Sequence, residues 1–238
     1  MRRRALLGLA IVTMSTAVPL LCRAAAPLGE LHIRADKLVY LERGEVAEFR
    51  KNVVFERDDF KGRSRYLKLD KKKNKIFASG AVSGDIFNSG RGDMSFATEK
   101  LFYEEASGAV FSPDKSDFVV NVSTTATKDI YTINCSSFSG NIPNKQFHLT
   151  GKPVTIKGEK LSGFSDTLDC SPTVTEMRGN ARLDYFEPPV GDAQNAPVAG
   201  RSPWNADANY IKMSFESEEY EFKGDVTGVF YPKNAENP

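Results

Sequence analysis

The sequence predicts an all-β protein assembled from repeats of one strand-pair unit, and three observations carry that prediction. Few segments place apolar residues at helical spacing. Short stretches rich in Val, Phe, Tyr, Ile and Thr recur instead between clusters of Gly, Asn, Asp and Pro. One short motif returns along most of the chain, and a second returns between its copies. Around each copy apolar and polar residues alternate, the pattern of a strand with one buried and one wet face.

Ahead of the repeats, three arginines within Met1 to Arg4 precede the apolar stretch Ala5 to Cys22. That is the charged and then apolar order of an export signal, which predicts that residues 1–25 are a signal peptide and that the chain leaves the cytoplasm. Ala24, Ala25 and Ala26 supply small residues for cleavage, and Pro27 opposes a cut directly after Ala26. If retained, the same stretch would be an anchor at the short limit of what spans a bilayer, weakened by Thr13, Ser15, Thr16 and Pro19. Arg3 to Leu7 loosely matches a twin-arginine signal. Leu20 and Leu21 stand before Cys22 where a lipidation signal needs a small residue. Residues 26–238 are long enough to form one β domain.

The first motif reads Phe49-Arg-Lys-Asn-Val53, then Phe77-Ala-Ser-Gly-Ala-Val82, Phe147-His-Leu-Thr-Gly-Lys-Pro-Val154, Met177-Arg-Gly-Asn-Ala181 and Phe222-Lys-Gly-Asp-Val226. An aromatic or Met residue is followed by a turn-permissive Gly or Asn and by a small or β-branched residue that opens an alternating strand. Gly or Asn at that place predicts a β-bulge. The second motif reads Ala35-Asp-Lys-Leu-Val-Tyr40, Ala97-Thr-Glu-Lys-Leu-Phe-Tyr103, Gly158-Glu-Lys-Leu161 and Ala206-Asp-Ala-Asn-Tyr210. Its leading polar residues mark the wet face.

Thr132-Ile-Asn-Cys-Ser136 and Thr167-Leu-Asp-Cys-Ser171 echo each other, placing Cys135 and Cys170 at what read as equivalent positions of neighbouring repeats. In an oxidising compartment the pair predicts a disulfide, provided the α-carbons approach to roughly 4.4 to 6.8 Å. Two buried thiols are the alternative. From Glu187 to Pro203 the pattern lapses into Pro-Pro, Gly-Asp, Ala-Pro and Ser-Pro, a long loop at 187–203 by composition. Tyr210 to Tyr231 returns to strand pattern.

The composition excludes several function classes. A net charge of +1 with 26% charged residues lacks the basic excess that nucleic-acid backbones require. Only His32 and His148 are present, with no paired-His or Gly-x-Ser-x-Gly motif around either, so the sequence predicts no enzyme and no metal centre. Carboxylates such as Asp58, Asp59 and Asp114 lie in turn-like contexts. The tripeptide Arg91-Gly92-Asp93 is explained by turn chemistry. What the sequence offers instead is a large apolar inventory, 16 Phe and 8 Tyr, alternating along repeated strands that can line a groove or fill a core.

The two motifs, Asp-Lys-Leu-x-Tyr and Phe-x-Gly/Lys-Asn-Val, with an export signal ahead of them, resemble the OstA-like family, the LptA-type periplasmic lipopolysaccharide transport proteins. The resemblance spans about Arg34 to Tyr185 and returns from Asn209 to Tyr231. It implies a β-jellyroll of antiparallel strand pairs, open as a V, with lipid A acyl chains held between the walls and no cofactor. Carried over by position, the lipid-facing residues it implies are Leu38, Tyr40, Phe49, Val53, Phe55, Leu101, Tyr103, Phe147, Val154, Ile156, Ala181, Leu183 and Tyr185. Lys51 departs from the usual Gly, and extra residues precede Val154.

Between Arg57 and Lys75 there are nine Lys or Arg against three Asp, whereas Glu216, Glu218, Glu219 and Glu221 crowd the last strand pair. Solvated faces explain such charges; ends of opposite sign also suit head-to-tail stacking. The resemblance implies lipopolysaccharide and the transport components at both membranes as partners, and the periplasm as the location. A retained Ala5 to Cys22 would instead imply the family's anchored, LptC-like inner-membrane subunit. A carbohydrate-active protein and a purely structural β-repeat protein are the remaining alternatives.

Overall fold

The computed structural model describes residues 30–57, 60–87, 94–123, 128–171, 173–186, 204–214 and 219–230. The predicted signal peptide at 1–25, the tripeptide at 91–93, Glu216, Glu218 and the loop at 187–203 lie outside the described residues.

Alternation of apolar and polar side chains produces strands throughout. In chain order they are β1 His32–Arg34, β2 Lys37–Leu41, β3 Val46–Arg57, β4 Phe60–Asp70, β5 Lys75–Ile86, β6 Met94–Glu104, β7 Ala109–Ser112 and β8 Ser116–Ser123. They continue with β9 Lys128–Cys135, β10 Ser137–Asn141, β11 Gln146–Lys157, β12 Leu161–Cys170, β13 Val174–Tyr185, β14 Trp204–Ser214, β15 Glu219–Lys223 and β16 Thr227–Phe230. A 3-10 turn at Glu42–Gly44 joins β2 to β3. Every pairing is antiparallel, and the strands form one sheet.

That sheet is folded along a single line crossing the long strands near their middles. Register shifts fall between Arg50 and Val53, Arg63 and Tyr66, Ser79 and Val82, Thr150 and Val154, Phe164 and Thr167, and Arg178 and Ala181. On one side of the line runs β2-β3-β4-β5-β6-β7-β10-β11-β12-β13-β14-β15; on the other, β1 replaces β2, β8 and β9 replace β7 and β10, and β16 replaces β15. The two halves are the walls of a β-jellyroll. We call them the first wall, with β2 and β15, and the second wall, with β1 and β16.

The repeated motif builds this line. Lys51 and Asn52 take φ of 63° and 47°, Gly80 and Ala81 80° and 52°, Gly179 and Asn180 72° and 43°, and Gly224 and Asp225 69° and 41°. Two successive left-handed residues turn the strand from one wall into the other. Lys51 adopts the conformation that Gly serves elsewhere, so that departure keeps the bulge. In the Phe147 to Val154 copy, Gly151 and a cis Lys152–Pro153 bond occupy the same place.

The second motif supports the bulges. Asn52 Nδ2 donates to Asp36 Oδ2 at 2.9 Å, and the Ala81 N–H to Glu99 Oε2 at 3.4 Å. Asn180 Nδ2 donates to Asp166 Oδ2 at 2.9 Å, and Asn209 Nδ2 to Asp225 Oδ2 at 3.3 Å. One expected copy is corrected: Gly158 to Leu161 forms the turn between β11 and β12, and Ser165-Asp166-Thr167-Leu168 takes the motif's place. The position before the polar residue is buried and small, filled by Ser64, Thr98, Cys135, Ser165 and Ala208. Ser64 Oγ donates to the Tyr66 carbonyl at 3.0 Å and Ser165 Oγ to the Thr167 carbonyl at 2.8 Å, so these buried hydroxyls are satisfied within the bend.

The walls meet through aromatic rings. Phe96 and Phe118 on the second wall reach Phe138 on the first, with centroids 5.5 and 4.8 Å apart, and Phe118 lies 5.9 Å from Phe147. Three inner-face pairs oppose a Phe with a Gly across adjacent strands: Phe55 with Gly62, Phe96 with Gly84, and Phe147 with Gly140. In each, a Cβ on the glycine would strike the ring. The rings therefore lie down on bare backbone, which lets the walls close on one apolar core from Val53 to Met213.

Candidate functional site

The inner face between the walls is the candidate site. Val53, Phe55, Leu101, Phe147, Val154, Ile156, Ala181 and Leu183 are all buried there. Phe49, Tyr103 and Tyr185 are half-buried, with Phe49 and Tyr103 packed against the core. These positions therefore fill space between the walls in this conformation.

Leu38 and Tyr40, expected among them, are 44% and 62% exposed. Register is not the reason. Leu38 pairs with Phe49 and Tyr40 with buried Ala47, so both stand on the inner face. They are exposed because β2 is the edge strand of the first wall, where, among the described residues, no side chain of the second wall covers them. The inner face thus outruns the sandwich at its N-terminal edge.

The opposite edge is closed by rings. Tyr185 stacks on Trp204 at 5.3 Å and 8°, and Tyr220 and Phe222 from β15 meet Trp204 edge-on at 5.5 and 6.0 Å. Phe222 opens a motif copy but was not named among the lipid-facing residues; Trp204 and Tyr220 carried no motif, and Trp204 directly follows the loop composition that obscured the start of β14. Phe96, Phe118 and Phe138, which hold the centre, lie outside the quoted motif copies; simple alternation in β6, β8 and β10 was their only signal.

Near the covered part of the N-terminal end, Arg57 is buried on the inner face and donates to the Tyr103 hydroxyl at 2.6 Å, its guanidinium 5.6 Å from the ring centroid. A cavity of 20 Å³ lies beside it, between Leu31, Phe55, Phe60, Leu101 and Ile142. A cation among apolar walls was not foreseen, since Arg57 heads a run of basic residues that reads as solvated.

Cys135 and Cys170 are both buried free thiols, which corrects the expected disulfide. The sequence echo does not mark equivalent places. Cys135 sits at the bend opposite Ser116, whereas Cys170 ends β12 opposite Phe147 and Thr175, beyond the bend in the first wall. Burial pushes both thiols up from an ordinary 9.0 to about 12. We expect neither to react with Ellman's reagent at pH 8 while folded, and both to react in denaturant. The unfolded chain ionises these thiols above pH 9 and the folded chain does not, so they draw stability down as pH rises from 9 towards 12. A Cys135→Ala/Cys170→Ala variant should lack that part of the decline, measured by urea denaturation at each pH. Reaction of the folded protein at pH 8 would contradict the burial.

No family model matches the chain, and no curated protein does. Among solved structures, the chain is similar to LptH of Pseudomonas aeruginosa, described as the LptA-homologous periplasmic component of the conserved lipopolysaccharide transport device. The match covers 86% of this chain and 96% of that one at 11% identity, with a TM-score of 0.27.

Proposed function

We propose that this protein binds the acyl chains of lipopolysaccharide on its apolar inner face and carries the lipid through the periplasm towards the outer membrane. The observation that carries this reading is the uncovered end of that face, where Leu38 and Tyr40 continue the row of Ala47 and Phe49 into solvent. Each methylene taken from water contributes about 0.8 kcal/mol, so a chain laid along such a row binds without any catalytic group. The motif resemblance points the same way.

Head-to-tail stacking would cover the bare end and build a bridge, with the β15 edge, which carries Glu219 and Glu221, meeting the β2 edge of the next copy. With residues 1–25 removed the protein is the soluble bridge; with them retained it is the anchored LptC-like subunit. The mass of the exported protein decides between the two.

A photo-reactive residue in place of Tyr40, and another in place of Leu183, tests the site in cells. Lipopolysaccharide adducts are expected at both, more at Tyr40 than at the buried position. Capture at neither, by protein shown to be folded, overturns the proposal. That outcome is what a structural β-repeat protein predicts, a reading favoured by the filled interior at Val154, Leu168 and Leu183.

A further inference from the structure

On the outer face of the first wall a groove of 1160 Å³ crosses strands β4 to β13, its lining also taking in Tyr103 and Phe147 of the inner row. Its floor is one register row. Phe77, Phe102 and Phe111 are directly opposed on β5, β6 and β7, and the row continues through Ser139, His148, Asp169 and Glu176. The ring centroids are 5.0 and 6.1 Å apart, and Phe102 and Phe111 are 43% and 45% exposed. Large apolar side chains adjoining on a wet sheet face mark a binding surface.

We propose that this groove binds a linear oligosaccharide, three of its sugar rings lying on the phenylalanines and its hydroxyl groups meeting the polar half of the row. The chemistry along the rim selects that ligand class. Its charges balance, Lys68, Lys73, Lys75 and Arg178 against Asp70, Glu104, Asp169 and Glu176, with ion pairs from Lys73 to Asp70 at 3.3 Å and from Arg178 to Asp169 and Glu176 at 3.4 and 2.5 Å. A groove so neutralised does not select an anion. A purely apolar partner would strand Ser139, His148 and Asp169 beneath it, against the cost of burying polar groups without partners. A glycan offers both an apolar ring face and a belt of hydroxyls.

The spacing fits as well. Side chains opposed across a sheet repeat at the strand separation of about 4.8 Å, close to the advance per pyranose ring in an extended glycan. His148 Nδ1 and Asp169 Oδ1 are hydrogen-bonded at 2.5 Å and Asp169 Oδ2 meets Arg178 Nε at 3.4 Å, so the polar half of the row is an oriented network. The saccharide is either free glycan or the sugar portion of a lipid-linked one. Binding on this face does not depend on lipid between the walls.

Titration calorimetry on the full mature protein tests the proposal with three probes: cellotetraose, chitotetraose, and the lipid-free core oligosaccharide released from lipopolysaccharide by mild acid. Saturable binding of at least one is expected, and Phe102→Ala or Phe111→Ala should weaken it about tenfold. Both rings lie outside the core, so circular dichroism and thermal midpoint should report an intact fold. Preference for the core oligosaccharide would assign the lipid-linked source, and preference for either neutral glycan the free one. No saturable binding of any probe overturns the proposal, as does binding unchanged in the Phe102→Ala/Phe111→Ala double variant. Self-association of the parent lost in that variant would also overturn it, the row then being covered by a second copy. The photo-crosslinks at Tyr40 and Leu183 read the opposite face, so the two proposals fail separately.

Discussion

Replacing Phe118 with Ala is expected to cost about 3–5 kcal/mol of folding stability. Phe118 is fully buried on β8 and touches Phe96 on its own wall and Phe138 and Phe147 on the other. Its removal opens a hole where the two walls meet, and rings held over glycines have little freedom to collapse into it. Native domains are stable by about 5–15 kcal/mol, so the variant should sit near the edge of folding at 37 °C. Urea denaturation should show a large fall in midpoint at an unchanged slope. A loss below about 1 kcal/mol would mean that the walls do not bear on each other there.

Gly84→Val is expected to be nearly as damaging, through crowding rather than loss. A Cβ at position 84 would lie 2.6 Å from Phe96 Cζ and 2.8 Å from Phe60 Cε2, between two rings that stack at 6.1 Å and 12°. Overpacking of this kind costs about 1–3 kcal/mol, and the added methyl groups of Val push towards the upper end. The mechanism has its own signature. Phe96→Leu in the same chain should recover part of the loss, giving a favourable coupling in a double-mutant cycle. Strictly additive losses would show that ring and glycine do not compete for the same space.

Much of this architecture was legible in the sequence. The Phe-x-Gly/Asn motif announced a bulge, and each copy bends its strand at that place. Alternation put Val53, Phe55, Leu101, Val154 and Leu183 on the inner face because a half-buried strand has no other way to arrange them. Less visible was the buried small residue at Ser64, Thr98, Cys135, Ser165 and Ala208, since five chemically different side chains share only size and place. That diversity also misled the reading of the cysteines: Cys135 serves as one of these small bend residues, and Cys170 as an apolar strand end. Exposure of Leu38 and Tyr40 was illegible for a different reason. A strand's pattern reports which face a residue takes, and only the extent of the opposing wall decides whether that face is covered.

The glycines opposite Phe55, Phe96 and Phe147 lay in plain view but carried no local signal, because glycine inside a strand reads as weakness. Their meaning appears only across the ladder, where the partner strand supplies the ring. The outer row of Phe77, Phe102 and Phe111 was hidden by the same non-locality, its members falling in three separate strands that register alone aligns.

Ladder hydrogen bonds join strand halves within one wall, and the facing walls touch through side chains. Parting the walls would therefore leave the ladders whole and cost mainly apolar area, at about 25 cal/mol per Å², together with the hydrogen bond from Arg57 to Tyr103 that crosses between them. Mechanically the molecule is a clasp: the bulge line is its pivot, and its closing spring is the reluctance of water to wet the inner rows. Such a spring has an unusual temper, since hydrophobic attraction weakens on cooling. The clasp is held least tightly in the cold, and an apolar filler that replaces the lost contacts offsets the larger part of the cost of opening it.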